Sequence, residues 1–153
     1  MRRLSGVLLA GAILLLPSLT QNVLAAQQAA PQKFTLEGDL ALWSVSIRPD
    51  KTADYEAVLN KVKEALTKSE AAEAKQQLAG WKVIKAAKPM QDGNVVYTHV
   101  ITPVPGADYN ILQVLYGTFK DPAEQKQLYD QYRGAFVGNL GISSGTIAVD
   151  LSK

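Results

Sequence analysis

Between Leu40 and Leu66 the hydrophobic period of the chain changes from two to 3.6 across a single proline, which dictates a strand running straight into a helix. Trp43, Val45 and Ile47 alternate with Ser44, Ser46 and Arg48, the pattern of a strand with one buried face. Beyond Pro49, the residues Tyr55, Val58, Leu59, Val62 and Leu66 fall within a helical stripe about 100° wide. Asp50 or Thr52 is placed to cap that helix. A strand and a helix of this kind each carry one apolar side, and the two sides must be buried together and completed by further elements.

The helical stripe does not extend to Leu78. This predicts a break at Thr67–Ser69 and a second short helix over Glu70–Ala79 with Ser69 as its cap. Lys61, Lys68 and Lys75 recur every seventh residue, as on a solvated helix face. Gly80 ends the helical region. Trp81–Ala87 and Val95–Thr102 predict a second and a third strand, paired antiparallel around a loop that contains Asp92-Gly93. Residues 108–116 fit either a short buried helix capped by Asp108 or a strand, because short apolar runs carry no decisive period. Asp121-Pro122-Ala123-Glu124 is a helix start, with a cap, a proline at the first position and a glutamate three residues on. Leu128, Tyr132, Ala135 and Phe136 continue with helical spacing, and Gly138 suits the residue after the end. A Gly/Ser loop then leads to a last alternating strand over Thr146–Leu151. The β-α-β-β-α-β order predicts an α+β, ferredoxin-like fold: a four-stranded antiparallel sheet with helices on one face and the first and third strands central.

Trp43, Val45 and Ile47 are expected under the helices, as are Ile147, Val149 and Leu151. The third strand is apolar on both sides, with Val96 and Val100 on one and Val95, Tyr97 and Ile101 around His99 on the other. Such a strand predicts that a second copy of the sheet or a ligand covers the face away from the helices. If Val96 faces the helices, that open side presents Ser44, Ser46, Arg48, Tyr97, His99 and Asp150. The candidate ligand-binding residues are Arg48, Tyr97 and His99, with Tyr109 as a further cavity-lining candidate. An Arg, a Tyr and a His over an apolar floor suit a small anionic or aromatic compound. His99 is the candidate catalytic residue, as a general base or a single axial metal ligand. The plainer reading makes it a sheet histidine hydrogen-bonded at an interface. One His and no Cys exclude multi-His and Cys-containing metal sites, and neither a metal site nor a cofactor is predicted. Gly141-Ile142-Ser143-Ser144-Gly145 matches G-x-S-x-G, but a helix precedes it and a strand follows, the reverse of a nucleophile elbow.

The first residues read as an address. Arg2 and Arg3 precede an apolar run over Leu4–Leu16, Pro17 breaks it, and small residues near Ala25 and Ala26 allow cleavage after either. A signal peptide over 1–26 places the protein in a secreted or periplasmic location. The apolar run is shorter than the roughly 20 residues of a membrane span, so no stable span is expected once the signal is removed. Residues 27–33 are expected to form a flexible tail, and 34–153 a single α+β domain. The absence of cysteine means that an oxidising compartment's disulfides go unused. The net charge of +2 equals the contribution of Arg2 and Arg3, leaving a balanced remainder that argues against nucleic acid as a partner.

Trp43-Ser44-Val45, Tyr55–Leu59, Gln77–Val83, Val100–Pro103 and Gly106–Tyr109 together resemble a group of small uncharacterised secreted bacterial proteins, over most of the chain beyond the signal. No activity is established for that group, so the resemblance carries over no functional residue. In topology alone the chain also resembles the ferredoxin-like dimeric α/β-barrel proteins, which include cofactor-free monooxygenases and haem-degrading enzymes. That likeness of plan transfers no chemistry. The expectation is an exported, non-enzymatic module that forms a homodimer through its open sheet face and binds a small molecule or a protein partner. The alternative is a small cofactor-independent oxygenase or isomerase-like enzyme using His99 with Tyr97 or Arg48.

Overall fold

The computed structural model describes residues 32–152; the predicted signal peptide (1–26) and most of the predicted tail (27–33) lie outside the described residues. β1 (Leu40–Ile47) follows the alternation, with Ala41, Trp43, Val45 and Ile47 buried. Pro49 ends it and opens a 3-10 turn, Pro49–Lys51, that enters α1 (Thr52–Lys68) directly. Neither Asp50 nor Thr52 caps α1. Lys51 holds the cap position with no side-chain bond to the helix N–H groups, because the turn has already wound the chain and paired Lys51 N–H with Arg48 O at 3.1 Å. Tyr55, Val58, Val62, Ala65 and Leu66 form its buried stripe.

α2 (Ala74–Gly80) starts later than predicted, since the Ser69 hydroxyl accepts from Ala71 N–H at 3.2 Å and is spent on a turn. β2 (Trp81–Lys85) follows with no loop, and β3 (Val95–Ile101) returns antiparallel to it. The ambiguous stretch is helical: α3 (Ile111–Thr118) is capped by Asn110, whose side chain accepts from Leu112 and Gln113 N–H. Asp108, expected as the cap, instead accepts from Phe34 and Asn110 N–H and ties the start of the described chain to the loop before α3. α4 (Pro122–Ala135) has the predicted Asp121 cap, which accepts from Ala123 and Glu124 N–H.

The last strand lies earlier than predicted. Phe136, expected in the helix, begins β4 (Phe136–Gly145), which pairs along the whole of β1. Ala135 O accepts from Arg48 N–H and Gly145 O from Asp39 N–H, both at 2.9 Å, so the two ends are fixed. Gly138, Gly141 and Gly145 stand opposite Ser46, Ser44 and Leu40, a composition with poor strand propensity. The free ladder edge of β1 overrides that propensity, and two register shifts absorb the surplus length. Thr146–Leu151, the segment with the better alternation, forms no strand. Its Ile147, Val149 and Leu151 are 59, 72 and 94 % exposed rather than under the helices.

The sheet order is β2-β3-β1-β4, antiparallel throughout, with β1 and β3 at the centre, and the class is α+β. Helical residues such as Val58, Val62, Ile111, Leu115 and Leu128 pack on Trp43, Val45, Ile47 and Tyr97 to form the main core. A second cluster, of Leu36, Ala41, Ile101, Ala107 and Tyr109, closes one end of the same face. Among the described residues no helix is long and apolar enough to cross a membrane.

Gly38 sets the entry to β1 at φ +88°, and a Cβ there would stand 2.5 Å from Gly145 O. Gly38→Ala therefore combines left-handed strain with a clash against backbone that cannot turn aside. It should lower unfolding free energy by about 2 kcal/mol or more in urea titrations; a change below about 0.5 kcal/mol would show that this junction is not held tightly.

Candidate functional site

The side to which β3 turns its odd-numbered residues decides the character of both sheet faces. In the β1–β3 register Trp43 pairs with His99, Val45 with Tyr97 and Ile47 with Val95, and directly paired residues share a face. His99 and Ile101 are wholly buried, Tyr97 is nearly so, and Val95 packs against the main core. The expectation that Val96 faces the helices and leaves Tyr97 and His99 on the open side is thus corrected. The chain's own helices and loops cover Val95, Tyr97, His99 and Ile101, the last of them within the cluster of Leu36, Ala107 and Tyr109, and the even-numbered Val96, Thr98 and Val100 turn outward. Both parities of this strand are apolar, so sequence alone could not choose between them.

His99 lies in an aromatic box. Its Nδ1 is 2.9 Å from Trp81 Nε1 and its Nε2 is 2.8 Å from Tyr55 Oη, while Trp43 stacks on the ring at 4.6 Å. The indole N–H can only donate, so Nδ1 must be the bare, accepting nitrogen. The proton of the neutral ring then sits on Nε2 and is donated to the Tyr55 oxygen. Burial holds the His99 pKa down from the ordinary 6.5 to about 4, and the same exclusion of water pushes Tyr55 well above its usual value. With both nitrogens engaged and the ring sealed, His99 presents no lone pair to a substrate or a metal. Among the described residues no group of three or more His, Cys, Asp or Glu is arranged to hold a metal ion.

The other candidates do not converge on a pocket with it. Tyr97 donates its hydroxyl to Glu56 at 2.6 Å, and Lys85 reaches the same oxygen at 3.0 Å. These two partners, Tyr97 first, hold the Glu56 carboxyl below its usual range. Tyr109 belongs to the second apolar cluster, where its hydroxyl accepts from Val104 N–H at 2.9 Å and its ring meets Trp81 edge-on. Arg48 is exposed just past the end of β1, apart from the rest. The residues missed as partners of His99 are Tyr55 and Trp81. Each reads from sequence as plain core, the first on a helical stripe and the second opening a strand.

The open face carries a different set. Leu42, Val100 and Lys82 form one row across it, Ser44, Thr98 and Ile84 the next, then Ser46 and Val96. Ser44 and Thr98 share a hydroxyl hydrogen bond of 2.9 Å at its centre. Leu42 and Ile84 are 42 and 57 % exposed, and neither they nor Val96 and Val100 pack into either core cluster. On the β4 side Gly141 stands opposite Ser44 and Gly138 opposite Ser46, leaving a low shelf of backbone. The face is aliphatic and hydroxylic, with Lys82 as its one charge in the paired rows, on the outer strand.

Because folding lowers the His99 pKa, the unfolded chain takes up a proton that the native one refuses. Stability is therefore complete above pH 6.5, falls as the pH drops from there to about 4, and loses about 3 kcal/mol in total from this group. The chain has a single histidine, so its ring resonances in an NMR titration are unambiguous. A midpoint near 4 is expected, and one near 6.5 would place the ring in water. Tyr55→Phe strands the Nε2 proton in the core and should cost about 1–3 kcal/mol in denaturant unfolding; a neutral result would deny the tautomer.

Comparison with protein-family models, with curated proteins and with solved structures finds no match to this chain.

Proposed function

We propose that this protein is an exported, non-enzymatic module that forms a homodimer through its open sheet face and recognises its partner there. The observation that carries this reading is the uncharged, aliphatic patch of Leu42, Ile84, Val96 and Val100, which no described core cluster absorbs. At the centre of the face a partner surface has little to satisfy, because Ser44 and Thr98 bond each other and the glycines of β4 keep the shelf low, while the Ser46 hydroxyl on the same side is buried without a partner among the described residues. Two such sheets stack at about 10 Å, their usual separation. The signal-like residues 1–26 support export, and the sealed imidazole of His99 leaves the oxygenase or isomerase alternative without an accessible base.

Size sets the strength. Four strands about 4.8 Å apart and about six residues long give a face on the order of 400 Å² per copy. That is at the small end of specific interfaces, so the dimer should dissociate in the micromolar range. Val100→Glu places a charge in the middle of the contact while leaving the helix side untouched. It should weaken dimerisation about 100-fold, near 3 kcal/mol, in sedimentation equilibrium, with the far-UV spectrum unchanged. A wild-type protein that stays monomeric at about 100 μM would overturn the proposal. A small compound held between two faces would show as mass beyond that of the dimer in native mass spectrometry.

A further inference from the structure

β2 is an edge strand whose outer side is unpaired among the described residues. Ala86 N–H donates to Val96 O and Thr102 N–H to Gly80 O, so the even-numbered residues bond toward β3. In an antiparallel ladder the alternate residues then direct N–H and C=O outward, here Trp81, Val83 and Lys85. Beside that edge, on the helix side of the sheet, runs a groove of about 320 Å³ lined by Leu59, Val62, Leu66, Leu78, Trp81 and Val83. An open backbone edge next to an apolar groove is what an added strand requires: main-chain bonds to the edge and alternate side chains in the groove.

The chain supplies a segment of the matching kind. Thr146–Leu151 alternates as a strand does, yet it joins no ladder of its own sheet, Ile147 N–H being donated to Asp39 Oδ2 at 2.9 Å, and its aliphatic side chains are the most exposed in the described chain. The five residues Ile147–Leu151 equal β2 in length, and Ile147, Val149 and Leu151 share one side. This segment cannot reach its own groove. Trp81, Ile101, Ala41 and Ser144 stand in one row across the sheet, so β4 and β2 are three strand spacings apart, about 14 Å. Crossing that distance takes about four extended residues and leaves almost none to pair. Charge also favours a visiting segment over a second β2. Lys63 lines the groove and Lys82 lies on its strand, while Lys85 is paired with Glu56, so two such edges meeting would bring like charges together; Thr146–Lys153, with one acid (Asp150) and one base (Lys153), brings no net charge.

We propose that the groove beside β2 is the docking site for the Thr146–Leu151 segment of a second copy, which adds to the sheet as a fifth strand with Ile147, Val149 and Leu151 in the groove. This goes beyond the open-face dimer and uses different residues. Since the chain has no cysteine, the test is a pair of single variants, Val83→Cys and Val149→Cys, mixed and oxidised. Their disulfide-linked heterodimer should exceed that of a Glu70→Cys with Val149→Cys control at least tenfold. In the unmodified protein the Val83 amide should exchange at least tenfold more slowly at high concentration than at low, and a chain ending at Gly145 should lose that protection. Val100→Glu, which breaks the face contact, should leave the Val83–Val149 cross-link in place. A cross-link no stronger than the control, one that disappears with Val100→Glu, or a Val83 amide unprotected at every concentration would each overturn the exchange.

Discussion

The structure depends on one neutral imidazole. His99 sits on the central strand β3, accepts from the indole of Trp81 on β2, donates to the phenol of Tyr55 on α1 and stacks on Trp43 of β1. Three strands and the longest helix are therefore tied at a single ring, in the one arrangement of protons that its donors and acceptors allow. Because side chains alternate along a strand, fixing this ring under the helices fixes every other residue of β3. Tyr97 and Ile101 go with it into the core, and Val96, Thr98 and Val100 are turned the other way. The buried polar group thus does what an apolar residue here could not, by separating two registers that are equally hydrophobic.

This explains which parts of the fold sequence reveals. β1 and α1 are legible because their periods differ and Pro49 separates them, and α4 because Asp121, Pro122 and Glu124 form a start signal that needs no tertiary help. The order of the strands follows from chain topology, and β1 and β3 hold the centre. The two faces of β3 are not legible, since the choice rests on hydrogen bonds from Tyr55 and Trp81, distant in sequence. For the same reason the candidate set of Arg48, Tyr97, His99 and Tyr109 dissolves. Three of those side chains are held by hydrogen-bond partners elsewhere in the chain, and Arg48 stands apart.

β4 and the segment after it reverse the usual relation between propensity and structure. A glycine-rich stretch with few side chains to bury becomes a ten-residue strand, while the alternating Thr146–Leu151 does not. The cause is position. α4 ends against Arg48 at the last residues of β1, and whatever follows Ala135 is delivered to the free side of that strand. Backbone hydrogen bonding can then hold a segment whose side chains would never specify it. The apolar residues set aside by this arrangement gather outside the core, at Leu40, Leu42, Leu140 and Ile142 as well as beyond the strand.

The aromatic box has one more consequence. The chain contains two tryptophans, and both lie against His99, one stacked on its ring and the other bonded to its nitrogen. A charged imidazole quenches indole emission, whereas a neutral one leaves it bright. A single proton taken up by this ring would therefore set a charge against both indoles at once, so that their emission would report its ionisation.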